Sequence, residues 1–95
     1  MTSAPPERSA PTLGILGLTA GEPVRWRGGP RARWQLGHVT HRERDGSIGV
    51  RDAGGRARSL EVERLEVRRP GPRGGTGWEP LTTRASRAEQ LRLLP

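Results

Sequence analysis

The side chains with the most evident chemistry in this sequence are its arginines. Arg25, Arg27, Arg31 and Arg33 form a block with no acid among them; Arg56 and Arg58 form a second, and Arg68, Arg69 and Arg73 a third. All 17 basic residues are arginine, and the formal net charge is +7. A guanidinium is a planar fork of donors that matches phosphate oxygens. A balance this basic points to an anionic partner, with nucleic acid ahead of an acidic protein or a membrane surface. Arginines clustered in the loops of a small domain track a phosphate backbone, with affinity drawn mainly from counterion release and with low sequence specificity. The expected contacts are Arg25, Arg27, Arg31, Arg33, Arg56, Arg58, Arg68 and Arg69. Phe and Tyr are absent and there are three tryptophans. The tryptophans are needed inside, so exposed aromatics for base stacking are scarce and sequence-specific reading of a single strand is not expected.

Catalytic chemistry finds no matching constellation. His38 and His41 are three apart, which on a regular strand puts them on opposite faces, so they do not chelate one metal. Asp45 and Asp52 are explained by turns, and Glu61 and Glu63 alternate with Val62 and face solvent. Ser47 and Ser59 have no base at a telling distance in the chain. No Lys-Ser/Thr follows the glycines, as a phosphate loop would require. With no cysteine, disulfides and thiolate metal sites are excluded. These residues point to a protein that is not an enzyme and needs no cofactor or metal.

The elements that must position the arginines centre on Arg33 to Leu60. Val39, then Ile48 and Val50, then Leu60 and Val62 alternate with polar residues as strands with one buried face do. Asp45-Gly46 and Gly54-Gly55 supply the two turns. Ahead of this meander, Val24 and Trp26 share one face of a strand and Arg25 and Arg27 the other. Leu65 to Val67 resumes a strand, Arg68 to Gly77 reads as a basic loop, and Trp78 to Thr83 adds a closing edge strand. The sum is an all-β fold, a small five-stranded barrel. Its core is Val24, Trp26, Trp34, Val39, Ile48, Val50, Leu60, Val62 and Leu65. Residues 1–20 are a disordered or loosely packed lead, 21–83 the barrel, and 84–95 a short tail. Residues 1–12 carry the prolines of the lead. The apolar run Leu13 to Ala20 either packs across the barrel or has nothing to pack on. It lacks the basic flank of a signal peptide, so the expected location is cytoplasmic.

The spacing Gly21, Val24, Trp26, Gly28, Gly37 and Val39 resembles the KOW motif of ribosomal and transcription-elongation proteins, which opens an SH3-like barrel. Trp34, Gly37, Val39, Asp52 and Gly54, followed by Leu60 and Leu65, resemble the Tudor branch of the same barrels. Tudor domains that read methylated side chains do so with an aromatic cage. Gln35 and Ala53 stand where that cage would have aromatics, so the resemblance implies the scaffold and not methyl reading.

In the last segment, Ser86 and Glu89 have capping-box spacing, which suits a helix of one or two turns. Gln90, Leu91, Leu93 and Leu94 resemble the peptide with which bacterial polymerases and mismatch-repair proteins dock on the sliding clamp. That resemblance implies a tail free to extend into a groove and makes the clamp a candidate partner. The alternative for the tail is packing back on the barrel. Two functions follow: a nucleic-acid-binding accessory in DNA replication or repair, or a protein-interaction module whose basic barrel grips an acidic peptide.

Overall fold

The computed structural model describes residues 12–94, so residues 1–11 of the lead expected over 1–20 lie outside it. Six strands alternate with tight turns: β1 (Pro23–Trp26), β2 (Gln35–Arg42), β3 (Ile48–Asp52), β4 (Ala57–Leu60), β5 (Glu66–Pro70) and β6 (Thr76–Pro80). Helix α1 (Leu81–Leu93) follows β6 directly. The strands form one antiparallel sheet in the order β4-β3-β2-β1-β5-β6. The small all-β class holds, with six strands instead of five.

The additional strand comes from the stretch read as a basic loop. β5 runs on through Arg68 to Pro70 and β6 begins at Thr76. The turn between them needs Gly74 at φ +84°. β1 pairs with β5 only at Val24↔Val67 and Arg25↔Glu66. Beyond Val67, β5 has a partner on one side alone, which is where a proline without an N–H is tolerated.

Local chemistry explains the two turns that were expected. Gly46 has φ +94° and Gly55 φ +86°. The Asp45 carboxylate accepts from the Ser47 N–H at 2.9 Å and the Ser47 hydroxyl at 2.7 Å. Asp52 accepts from the N–H groups of Gly54 and Arg56 at 3.0 and 2.9 Å.

One face of the sheet carries the core: Val24, Trp26, Val39, Ile48, Val50, Leu60, Leu65 and Val67, closed by Leu81 of α1 and by Leu16 and Leu18. The apolar run before β1 therefore packs, through a 3-10 turn at Gly14–Leu16. Trp26 is 1% exposed and lies over Gly37. A Cβ at position 37 would stand 2.6 Å from the Arg51 carbonyl oxygen and 2.9 Å from the Trp26 ring, so only glycine fits. Two of the expected core residues are elsewhere. Val62 is half-buried at the rim, in a 3-10 turn at Val62–Arg64. Trp34 is outside the core altogether. Gly37 and Val39 point inward, so the alternation of β2 puts Trp34 and Leu36 on the opposite side.

The tail expected to be free from residue 84 instead continues α1 as far as Leu93, and of the basic loop expected over Arg68 to Gly77 only residues 71–75 form a turn. Ser86 and Glu89 lie inside the helix and do not cap it; Pro80 holds the cap position. The Leu81 N–H donates to the Leu65 carbonyl at 3.0 Å. Arg84 pairs with Glu22, and Arg87 grips Glu79 with both Nη atoms, at 3.0 and 2.7 Å. Glu79 is 5% exposed on the inner face of β6. The hydrogen bonds from Arg87, then the charges of Arg87, Arg84 and Arg69, hold its carboxyl below the usual range against the cost of burial. A carboxyl depressed in the folded state stabilises fully above its unfolded value of about 4.3, and that contribution is lost as pH falls through the folded value. Glu79→Gln is expected to lower the thermal midpoint at pH 7 by several degrees, for a loss of about 1–2 kcal/mol. It should also flatten the decline of the midpoint between about pH 5 and pH 2. An unchanged acid limb in the variant would show that Glu79 does not fasten the helix. Among the described residues no helix is long and apolar enough to cross a membrane.

Candidate functional site

The outer face of the sheet gathers the arginines with the two tryptophans that the core does not use. Val24 and Trp26 point inward, so Arg25 and Arg27 project outward from β1 and its end. Trp34, half-buried, stands at the entry to β2 between them. The Arg25 guanidinium lies 3.8 Å from the Trp34 ring centroid and that of Arg27 lies 4.2 Å from it. Trp78 projects from β6 on the same side, 4.9 Å from Arg25 and 5.6 Å from Arg68. Arg27, Trp34, Arg25, Trp78 and Arg68 thus make one row of alternating cations and rings. Each such contact contributes about 0.5–1 kcal/mol at exposed sites and limits the orientations of a long side chain.

The row differs along its length in how much of its charge is already used. Arg25 donates to Glu66 from Nε at 2.9 Å and from Nη2 at 2.7 Å, so it serves as a strut. Arg68 donates to the Thr76 hydroxyl at 2.8 Å. Among the described residues Arg27 makes no salt bridge, and neither do Arg31 and Arg33 of the β1–β2 loop. On the far side of Trp34, Arg56 of the β3–β4 turn and Arg58 of β4 line a hollow of about 430 Å³ with Trp34, Leu36, Asp52 and Ala53. Arg58 is tied to Asp52 at 3.1 Å, while Arg56 has no carboxylate partner there. The backbone N–H of Arg56, ahead of the Arg58 side chain, holds the Asp52 carboxyl below its ordinary value; Ser47 does the same for Asp45. Arg87 is raised by its bond to Glu79.

Of the eight expected arginines, Arg25, Arg27 and Arg68 lie on this face, Arg31 and Arg33 lie in the loop that leads from β1 to Trp34, and Arg56 lies in the β3–β4 turn beside Trp34. Arg58, opposite Val50, has the parity of the inner side and reaches Asp52 at the sheet's edge. Strand alternation sends Arg69 to the inner side as well, toward Glu79. The tryptophans were missed because all three were assigned to the core by residue type. The signal that could have found them was parity, since Trp34 is out of step with Val39. Parity also misplaced a histidine. A bulge between Val39 and His41 aligns His41 with Gly49, returning it to the face that carries His38. The His41 ring covers Gly49 and its Nε2 lies 3.1 Å from Glu43. Among the described residues no three His, Asp or Glu side chains converge as a metal site.

Gln90, Leu91, Leu93 and Leu94 sit at the far end of α1, with Arg92 donating to the Ile15 carbonyl at 2.9 Å. The three leucines are 64–75% exposed and, with Arg87 and Gln90, border a shallow apolar hollow of about 450 Å³. The chain matches no protein-family model, no curated protein and no solved structure.

Proposed function

We propose that this chain is a non-enzymatic nucleic-acid-binding module on an SH3-like scaffold of the Tudor/KOW type, which holds a phosphate backbone on the outer face of its sheet. The observation that carries this reading is the row Arg27, Trp34, Arg25, Trp78 and Arg68. Stacking on an indole leaves the edge of a guanidinium, with its N–H donors, turned outward for phosphate. Arg31 and Arg33 of the β1–β2 loop and Arg56 of the β3–β4 turn add charge that no carboxylate neutralises among the described residues. Contacts of this kind position a strand without reading its sequence. The test is the affinity for a labelled random-sequence oligonucleotide as salt is raised. Four phosphate contacts give log K against log salt a slope of roughly −3. Binding with no salt dependence would assign the face to a peptide partner, as in a protein-interaction module.

The leucines of α1 supply a second, partner-binding surface in the same reading. Their exposure favours docking of Gln90, Leu91, Leu93 and Leu94 on a protein of the replication or repair machinery, the bacterial sliding clamp being the candidate their pattern resembles. An extended docked form requires the last turn of α1 to unwind past the Arg92 bond to Ile15. Replacing Gln90 and Leu91 with alanine should abolish clamp association and leave oligonucleotide affinity unchanged. Clamp association that survives in the double variant would remove the tail from the account.

A further inference from the structure

We infer that the recess between His38 and Trp78 seats an unstacked base, so that the outer face takes a single strand in preference to a duplex. This rests on the nucleic-acid reading and adds to it the class of strand. The recess holds about 380 Å³ and is bounded by Pro23, Leu36, Gly37, His38, Arg68 and Trp78. Its origin lies in the register. His38 is opposite Pro23 and Arg68 is opposite Trp78, so the compact Pro23 ring sits between taller neighbours on both sides. Leu36, 55% exposed, extends the apolar floor toward Arg25.

Two features select the occupant. The lining is largely apolar, yet the recess opens in the middle of an arginine-rimmed face, where Arg68 stands at its edge. A duplex turns phosphates outward and keeps its bases stacked, so an apolar recess adds nothing to its binding. An unpaired strand offers phosphates and apolar base faces together, which is the combination this surface presents. The tryptophans also divide the work. Two guanidinium groups lie within 4.2 Å of the Trp34 centroid, so Trp34 is a positioning residue for arginine. Trp78 is held more loosely, at 4.9 and 5.6 Å, and borders the recess.

The experiment compares three probes of equal length at one salt concentration: single-stranded oligo-dT, the same strand made abasic, and a duplex. The chain should bind oligo-dT about tenfold more tightly than the abasic strand, as expected for one base stacked on an aromatic ring, and more tightly than the duplex. Leu36→Ser should erase that margin while leaving abasic affinity unchanged; Trp78→Ala should erase it too, together with whatever abasic affinity depends on its contacts to Arg25 and Arg68. Leu36 is exposed, so its variant keeps the test decisive if Trp78→Ala fails to fold. Equal, salt-dependent binding of all three probes would overturn the base site and leave the nucleic-acid reading standing. Failure of every probe would overturn both, as would binding confined to an acidic leucine-containing peptide.

Discussion

Trp26→Ala is expected to abolish the cooperative thermal transition near ordinary temperatures, while Trp34→Ala lowers the midpoint by only several degrees. Trp26 is 1% exposed and is the largest of the fully buried side chains. It packs over Gly37 and shares the core with Val24, Val39 and Val50. Truncating a buried tryptophan costs about 3–5 kcal/mol, against a total stability of about 5–14 kcal/mol for a chain of this length. The Trp26 indole N–H finds no acceptor among the described residues, so its value lies in packing alone. Trp34 has the same chemistry in a different place. Its loss removes two exposed cation–π contacts, about 1–2 kcal/mol in all, which corresponds to a shift of several degrees. Circular dichroism melts of both variants would check this. Equal damage from the two would mean that Trp34 belongs to the core and the outer row does not exist.

Charge reversal at Arg27, Arg31 and Arg33 carries the second large effect. None of the three pairs with a carboxylate among the described residues, so folding should survive their replacement by glutamate. Arg25 is left out of the set deliberately. Its strand neighbour is Glu66, and a glutamate at position 25 would put like charges side by side and destabilise the sheet. A hydrogen bond to a charged group contributes about 1.5–3 kcal/mol, so three lost phosphate contacts should weaken oligonucleotide binding by roughly a thousandfold or more. The loss should be the same for every sequence tested. The salt slope should flatten by about two units, since each single-strand contact accounts for about 0.7. Fluorescence anisotropy at several salt concentrations measures both quantities. An unchanged slope would place the phosphates elsewhere.

Where function is concerned, the arginine blocks were legible because charge needs no fold to be counted. The turns at Asp45-Gly46 and Gly54-Gly55 were legible because glycine and aspartate act on their own neighbours. The misreadings share a different cause: each depended on something distant in the chain. Trp34 and Trp78 look like core by type, and only parity with Gly37 and Val39 or pairing with β5 turns them outward. β5 and β6 hide in a Gly- and Pro-rich stretch because the unpaired edge of β5 tolerates Pro70. Helix α1 is too short to persist alone in water; it is fixed by Leu81 in the core and by the grip of Arg84 and Arg87 on Glu22 and Glu79. The bulge in β2 has no compositional mark, and it moved His41 across the sheet. Composition thus exposed the arginines, while the tryptophans beside them on the outer face appeared only with the register.

The central claim is that the exposed arginine–tryptophan row is where nucleic acid binds. The three indole N–H resonances of a nitrogen-15-labelled sample report on it directly, because two tryptophans lie on that face and one is buried. Titration with a random-sequence single strand should shift the Trp34 and Trp78 signals together with the side-chain signals of Arg27, and leave the Trp26 signal in place. Unmoved Trp34 and Trp78 signals at saturating oligonucleotide would contradict the account.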